Sequence, residues 1–315
     1  MSFYASAELF PRVNIKTAIT LALLSVAYVG LSSILVGFKS DQIVLIALVN
    51  GLYYLSGHTR RFVTGFAIFI VYWIIFDYMK AFPNYHFNAV HIGDLYNREK
   101  SLFGIHSNNT ILTPNEYLKA NSHPWLDVIT GVFYLCWIPV PLGFAAYLLF
   151  TRPKEFLGFA LTFFLVNLLG FVVYYTYPAA PPWFIQEHGF NFIPLTKAST
   201  AGLARFDNYF HAGIFKSIYS KGSNVFAAMP SLHSSYPVIV LYYGLKNRLK
   251  FANIVFAIVM VGIWFTAVYA SHHYVLDVLA GITTAICGIS LFNVILNKSK
   301  GFQNFINNYA KLITR

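Results

Sequence analysis

Met229-Pro230-Ser231-Leu232-His233-Ser234 opens an apolar run, and Ser271-His272-His273-Tyr274-Val275-Leu276-Asp277 joins two more. Each segment sets a histidine where a polar loop enters a stretch long enough to penetrate a bilayer, which about 20 apolar residues can cross. Ionisable groups at such a boundary are functional candidates by default. Asp277 follows His273 by one helical turn, so ring and carboxylate share a face. Asp277 can then accept from Nδ1 and leave Nε2 as a nucleophile, the orienting logic of a catalytic triad applied to phosphorus. His233 is placed to protonate a departing alkoxide and later to deprotonate an acceptor. Pro230 suits the first position of a helix, whose free N–H groups bind phosphate oxygens, and Ser231 adds a hydroxyl donor. The plainer alternative makes the histidines packing residues. It explains one of them, such as His272, more easily than two beside a correctly spaced Asp277.

Working outward, the 315 residues are 57% hydrophobic, 18% aromatic and 10% charged, and the mean hydropathy is +0.58. A soluble domain carries about 25% charged residues, so a polytopic membrane protein is expected. The net charge of +11 comes from short basic clusters between apolar runs, which reads as topology and not as nucleic-acid binding. Cys136 and Cys287 fall inside apolar runs and lack metal-site spacing. The first apolar run exceeds the roughly 7–15 residues of a signal core and reads as an uncleaved span.

Eight runs emerge, at about 17–38, 42–57, 62–79, 127–150, 156–177, 230–245, 251–271 and 274–296. The fold expected is an all-α polytopic membrane bundle of about eight spans. It has N-terminal membrane helices (1–80), an interfacial or lid segment (81–126), a catalytic membrane domain (127–297) and an amphipathic tail (298–315). Within 81–126, residues 94–103 mix charge with aromatics at helical spacing, as in a helix lying on a membrane surface. Thr113-Pro114-Asn115-Glu116 has the form of a capping box. His86, His91, His106 and His123 lack metal-ligand spacing and read as loop residues. In the tail, Phe302, Phe305, Ile306, Tyr309, Leu312 and Ile313 share a helical face.

Thirteen basic residues, among them Arg12, Arg60, Arg61, Arg152 and Lys246, lie in short segments on one side, and nine are diluted over two long loops and one turn on the other. Both termini are therefore expected in the cytoplasm. The two histidine motifs and loops 80–126 and 178–229 then share the extracytoplasmic face, periplasmic in a bacterium or lumenal in a Golgi-like membrane. Asn108-Asn109-Thr110 has the form of an N-glycosylation acceptor on that face.

Pro230-Ser231-Leu232-His233, followed by His273 and Asp277, resembles the second and third signatures of the type-2 phosphatidic acid phosphatase superfamily. Tyr177-Pro-Ala-Ala-Pro-Pro-Trp183, Ala201-Gly-Leu-Ala-Arg-Phe-Asp207 and Phe226-Ala-Ala-Met-Pro-Ser-Leu-His-Ser234 are similar to inositol phosphorylceramide synthases. The similarity spans about residues 125–295 and implies a phosphatidic-acid-phosphatase-like six-helix core. The activity implied is transfer of phosphoinositol from phosphatidylinositol to ceramide through a phosphohistidine on His273, with no cofactor and no metal.

The chain also departs from the superfamily pattern. Ala145 and Ala267 stand where the superfamily's hydrolases carry a lysine and an arginine. Arg205, Lys216 and Lys221 are the candidate replacements, Arg205 foremost because its local motif matches the synthases; the alternative for Arg205 is an ion pair with Asp207. A phosphomonoester carries about −1.5 to −2 at neutral pH, whereas a diester carries a single charge. A site with fewer cations therefore suits a diester donor. The rival readings are a lipid phosphatase of the same fold, a head-group transferase using another lipid alcohol, and a transporter or receptor, for which the sequence shows no internal repeat.

Overall fold

The computed structural model describes residues 14–220, 222 and 224–314, so Lys221, Arg12 and Arg315 lie outside the described residues. The chain opens with α1 (Ile15–Leu35), α2 (Ser40–Leu55) and α3 (Gly57–Tyr78). The first polar stretch holds α4 (Gly93–Phe103), an antiparallel hairpin of β1 (Ile105–Ser107) and β2 (Thr110–Leu112), and α5 (Pro114–Ala120). Next come α6 (Pro124–Leu135), α7 (Pro139–Thr151) and α8 (Pro153–Thr176). Three short helices fill the second polar interval: α9 (Pro182–His188), α10 (Ala204–Tyr209) and α11 (Ile214–Ser220). The chain ends with α12 (Leu232–Lys246), α13 (Phe251–Tyr269), α14 (Val275–Lys298) and α15 (Lys300–Thr314).

Among the described residues, six segments are long and apolar enough to cross a membrane: α1, α3, the α6–α7 pair, α8, α13 and α14. The other two expected runs form shorter helices, 16 residues in α2 and 15 in α12. Val26 and Ile34 of α1 remain 72% and 82% exposed, the surface of an integral membrane protein solvated by lipid chains.

The chain divides into two compact units. The first contains residues up to Phe82, Ala146–Ala160 and Ile295–Arg315. A reciprocal cap between Ser56 and Thr59 starts α3. Phe62, Phe66 and Phe69 stack along one face of that helix, with Phe66 and Phe69 against Phe156. The tail helix α15 packs on α3, with the Tyr309 hydroxyl donating to the Thr64 carbonyl at 2.7 Å. Its expected apolar face splits in two. Ile306 and Ile313 are buried, while Phe305 and Leu312 stay exposed.

The second unit, Pro83–Ala145 and Leu161–Val294, contains both histidine motifs. Several polar side chains inside it pair with one another, which offsets the cost of burying them, while His273 Nδ1 and Asp277 Oδ1 are buried with no hydrogen-bond partner among the described residues. Tyr236 donates to Asn167 at 2.7 Å, and Thr162 and Tyr243 share a 2.9 Å bond. Ser231 caps α12, so the helix begins at Leu232. Pro230 thus precedes the cap instead of occupying the first helical position, because the Ser231 side chain claims the capping role. At this junction α12 meets α14. The Ser231 N–H donates to the Asp277 carbonyl at 2.9 Å, and Ser235 Oγ donates to the Gly281 carbonyl at 2.7 Å.

Gly281 permits that approach, since a Cβ there would fall 2.2 Å from the Ser231 carbonyl oxygen. Gly281→Ala is expected to cost about 1–3 kcal/mol by overpacking, read as a lowered Tm in detergent. An unchanged Tm would show that the two helices separate freely.

Candidate active site

His233 enters from the first turn of α12 and His273 from the tight loop between α13 and α14. The two rings face each other, with His233 Nδ1 3.3 Å from His273 Nε2. His273 Nδ1 points at Asp277 Oδ2 across 3.6 Å, longer than a hydrogen bond. Asp277 Oδ2 instead accepts the Tyr274 N–H at 2.8 Å. Catalytic hydrogen bonds commonly stand long in a free enzyme and tighten in the complex, and the i,i+4 spacing keeps this pair within reach. His233 Nδ1 also meets the Tyr134 hydroxyl at 3.2 Å, and Trp137 stands edge-on to its ring at 4.4 Å between centroids.

His272 is structural. Its ring lies between Tyr134 and Tyr219, nearly parallel to both, and its Nε2 bonds the Thr200 carbonyl at 3.0 Å. Burial holds this imidazole well below the ordinary histidine range, so it stays neutral. Ser271 adopts a left-handed φ of +59°, uncommon outside glycine. The Trp183 N–H donates to its carbonyl at 3.0 Å and the Gln186 amide to its hydroxyl at 3.1 Å, holding the turn that aims His272 and His273.

The remaining sequence candidates sit elsewhere. Ser231 is fully buried, and its Oγ accepts from the Ser234 N–H and hydroxyl. Arg205 does not pair with Asp207. Its Nε donates to Asp127 Oδ1 at 2.6 Å, and its guanidinium lies over the Tyr269 ring. Asp207 accepts the backbone N–H groups of Phe215 and Lys216, which ties α10 to the start of α11. The Lys216 side chain is exposed. Among the described residues no lysine or arginine hydrogen-bonds or ion-pairs with His233, His273 or Asp277.

A family model described as the PAP2 superfamily matches residues 109–291. A phosphoinositol dihydroceramide synthase of Bacteroides thetaiotaomicron is 41% identical over 300 residues, covering 95% of this chain and 98% of that protein. The chain belongs to the inositol phosphorylceramide synthase family of the PAP2 superfamily. An inositol phosphorylceramide synthase of Candida albicans is 31% identical over 49% of this chain and 35% of its own length. An inositol phosphorylceramide synthase catalytic subunit of Schizosaccharomyces pombe is 29% identical over 70% of this chain and 51% of its own length. No solved structure matches.

Within this family frame, several residues that the sequence did not single out hold the site together. Asn115, fully buried at the start of α5, donates its amide to the carbonyls of Val268 and His273, both at 2.8 Å. Glu99, fully buried on α4, accepts the Val275 and Leu276 N–H groups at the start of α14. Burial pushes its carboxyl up to about 7, against the two backbone hydrogen bonds. Asn84 bridges the carbonyls of Tyr174 and Phe226. The helix expected on the membrane surface therefore contributes one buried clamp, Glu99, and the segment around it two more, Asn84 and Asn115. The capping box at Thr113–Glu116 is as expected, but nothing local reveals partners more than 150 residues away.

Burial lowers His273 from its ordinary value of 6.5 to about 4, opposed by the Ala228 carbonyl. The unfolded chain holds that proton up to about 6.5 and the folded chain releases it near 4. This group's contribution to stability is thus complete above about 6.5 and lost as pH falls toward 4. If His273 must be neutral to act, the acid limb of the kcat/KM profile is expected near 4, the pH at which the folded protein protonates it. An acid limb at 6.5 would contradict a His273 held neutral by burial.

Proposed function

We propose that this protein is a lipid phosphotransferase that moves phosphoinositol from phosphatidylinositol to the primary hydroxyl of a ceramide-class acceptor. The observation that carries the reading is the His233–His273–Asp277 constellation in a chain 41% identical, along nearly its whole length, to a phosphoinositol dihydroceramide synthase.

His273 Nε2 attacks the phosphodiester phosphorus, and the bond to the diacylglycerol oxygen breaks. His233 supplies the proton that lets diacylglycerol leave as a neutral alcohol. Asp277 keeps the His273 ring oriented and stabilises the positive charge it acquires. His233, now a base, takes the ceramide hydroxyl proton as that oxygen attacks the phosphohistidine, releasing inositol phosphorylceramide and restoring His273. In the free protein the two rings occupy the space between them, so entry of the phosphoryl group must part them.

Ser231 and Arg205 serve here as positioning residues, the first by capping α12 and the second by tying α10 to α6 through Asp127. Lys216, exposed on α11, remains a candidate for the head group as it crosses the rim. The charge distribution supports an extracytoplasmic active face. With histidine as nucleophile and no cluster of three or more His, Cys, Asp or Glu able to hold a metal among the described residues, the mechanism asks for no metal.

The test supplies phosphatidylinositol to purified protein in excess chelator, with and without ceramide. Inositol phosphorylceramide should form only with ceramide. His273→Ala should abolish it, and His233→Ala should lower turnover by about 10²–10⁴. Free phosphate from phosphatidic acid, without transfer, would establish a phosphatase instead; loss of activity in chelator would overturn the metal-free mechanism.

A further inference from the structure

Tyr134 stands in the last turn of α6 and is fully buried. Its ring lies nearly parallel to that of His272, 5.7 Å between centroids, and tilted against Phe215. Its hydroxyl has two polar neighbours, His233 Nδ1 at 3.2 Å and the Tyr219 hydroxyl on α11. Packing on His272, which adjoins His273 in the chain, sets the ring against the loop between α13 and α14, while its tip reaches the histidine on α12. One side chain thus touches both halves of the site. A phenylalanine would pack on His272 equally well. Burying a hydroxyl costs free energy unless it is bonded, so the oxygen owes its place to His233 and Tyr219.

His273 Nε2 must keep a lone pair to attack phosphorus. Its 3.3 Å contact with His233 Nδ1 therefore needs a hydrogen on Nδ1. The Tyr134 oxygen beside that N–H accepts, and turns its own hydrogen toward Tyr219. The Nδ1 proton is the one that faces the reacting centre. Once it passes to the diacylglycerol oxygen, as the phosphorus–oxygen bond breaks, Nδ1 holds a lone pair and needs a donor instead. A phenol hydroxyl both donates and accepts, so rotation about its C–O bond meets the new demand.

We propose that the Tyr134 hydroxyl is a positioning group that holds the His233 ring in both of its protonation states. It accepts from Nδ1–H before diacylglycerol leaves, and donates to the bare Nδ1 until the ceramide proton arrives. The inference rests on the transferase reading above. His233 gives up one proton in the first half-reaction and regains one in the second, Tyr134 keeps its own throughout, and the hydroxyl ends where it began. Without it, the bare Nδ1 has no hydrogen-bond donor among the described residues.

Two measurements on the full-length protein test this. In the first, Tyr134→Phe keeps the ring that packs on His272 and removes only the hydroxyl. It should lower kcat by about 10-fold, the scale of one hydrogen bond, and leave KM for phosphatidylinositol and for ceramide unchanged. In single turnovers, formation of the phosphohistidine from phosphatidylinositol and its discharge by ceramide should both slow by that factor. Slowing of one step alone, a rise in KM alone, or an unchanged kcat would overturn the proposal, and the last would leave the transferase reading intact.

The second measurement needs neither turnover nor a change at Tyr134. Nitrogen NMR of the free protein with labelled histidine reports which ring nitrogen bears hydrogen, the His233 signals being those lost in His233→Ala. Nδ1 should carry one. A ring protonated at Nε2 alone would end the proposal. A hydrogen on Nδ1 in a protein that forms no phosphohistidine would keep the Tyr134 contact and remove the transferase reading.

Discussion

The Ser231 N–H bond to the Asp277 carbonyl, 2.9 Å long, is the contact on which the site's geometry depends. It joins the N-cap of the helix carrying His233 to the first turn of the helix carrying Asp277. Only a residue without a side chain at Gly281 lets the two helices come this close. With that junction fixed, His233 and His273 have little choice but to face each other across 3.3 Å. Ser235 repeats the connection one turn further in through the Gly281 carbonyl, which resists rocking of one helix against the other.

A tight loop between two membrane-spanning helices exposes backbone groups that hydrocarbon cannot satisfy. Here the polar stretches satisfy them. Asn115 takes the Val268 and His273 carbonyls, Glu99 takes the Val275 and Leu276 N–H groups, and Trp183 takes the Ser271 carbonyl. Each clamp joins a side chain or backbone group remote in sequence to the few residues around His273. The left-handed conformation at Ser271 persists because bonds on both its carbonyl and its hydroxyl fix it. Residues 83–126 thus help to build the loop that carries His273.

The sequence made the helical membrane architecture legible because hydrophobic length is a one-dimensional property. It exposed His233, His273 and Asp277 because charge at a span boundary is conspicuous and a four-residue spacing fixes a shared helix face. The split of α6 from α7 was readable in Pro139 and Pro141, but a continuous apolar run concealed it. Arg205 was readable as a free cation or as a partner of nearby Asp207: its actual partner Asp127 lies 78 residues earlier, beyond any local pattern. Glu99 was hidden for the opposite reason. An acidic residue among Asn97, Arg98 and Lys100 looks like an ordinary solvated face, and only tertiary packing buries it.

The electrostatics bear on the donor's charge. Glu99 occupies the N–H groups of Val275 and Leu276, and Asp277 takes that of Tyr274, so the donors at the start of α14 are already taken. The positive end of the α12 dipole, equivalent to about half a charge, opens beside His233. Arg205 ion-pairs with Asp127 through Nε, and no described arginine or lysine hydrogen-bonds or ion-pairs with either histidine. One helix terminus and a histidine that becomes cationic on phosphorylation can balance a single negative charge, but a dianion would leave a second charge uncompensated in a buried site. The scarcity of cations therefore favours a phosphodiester over a phosphomonoester as the donor.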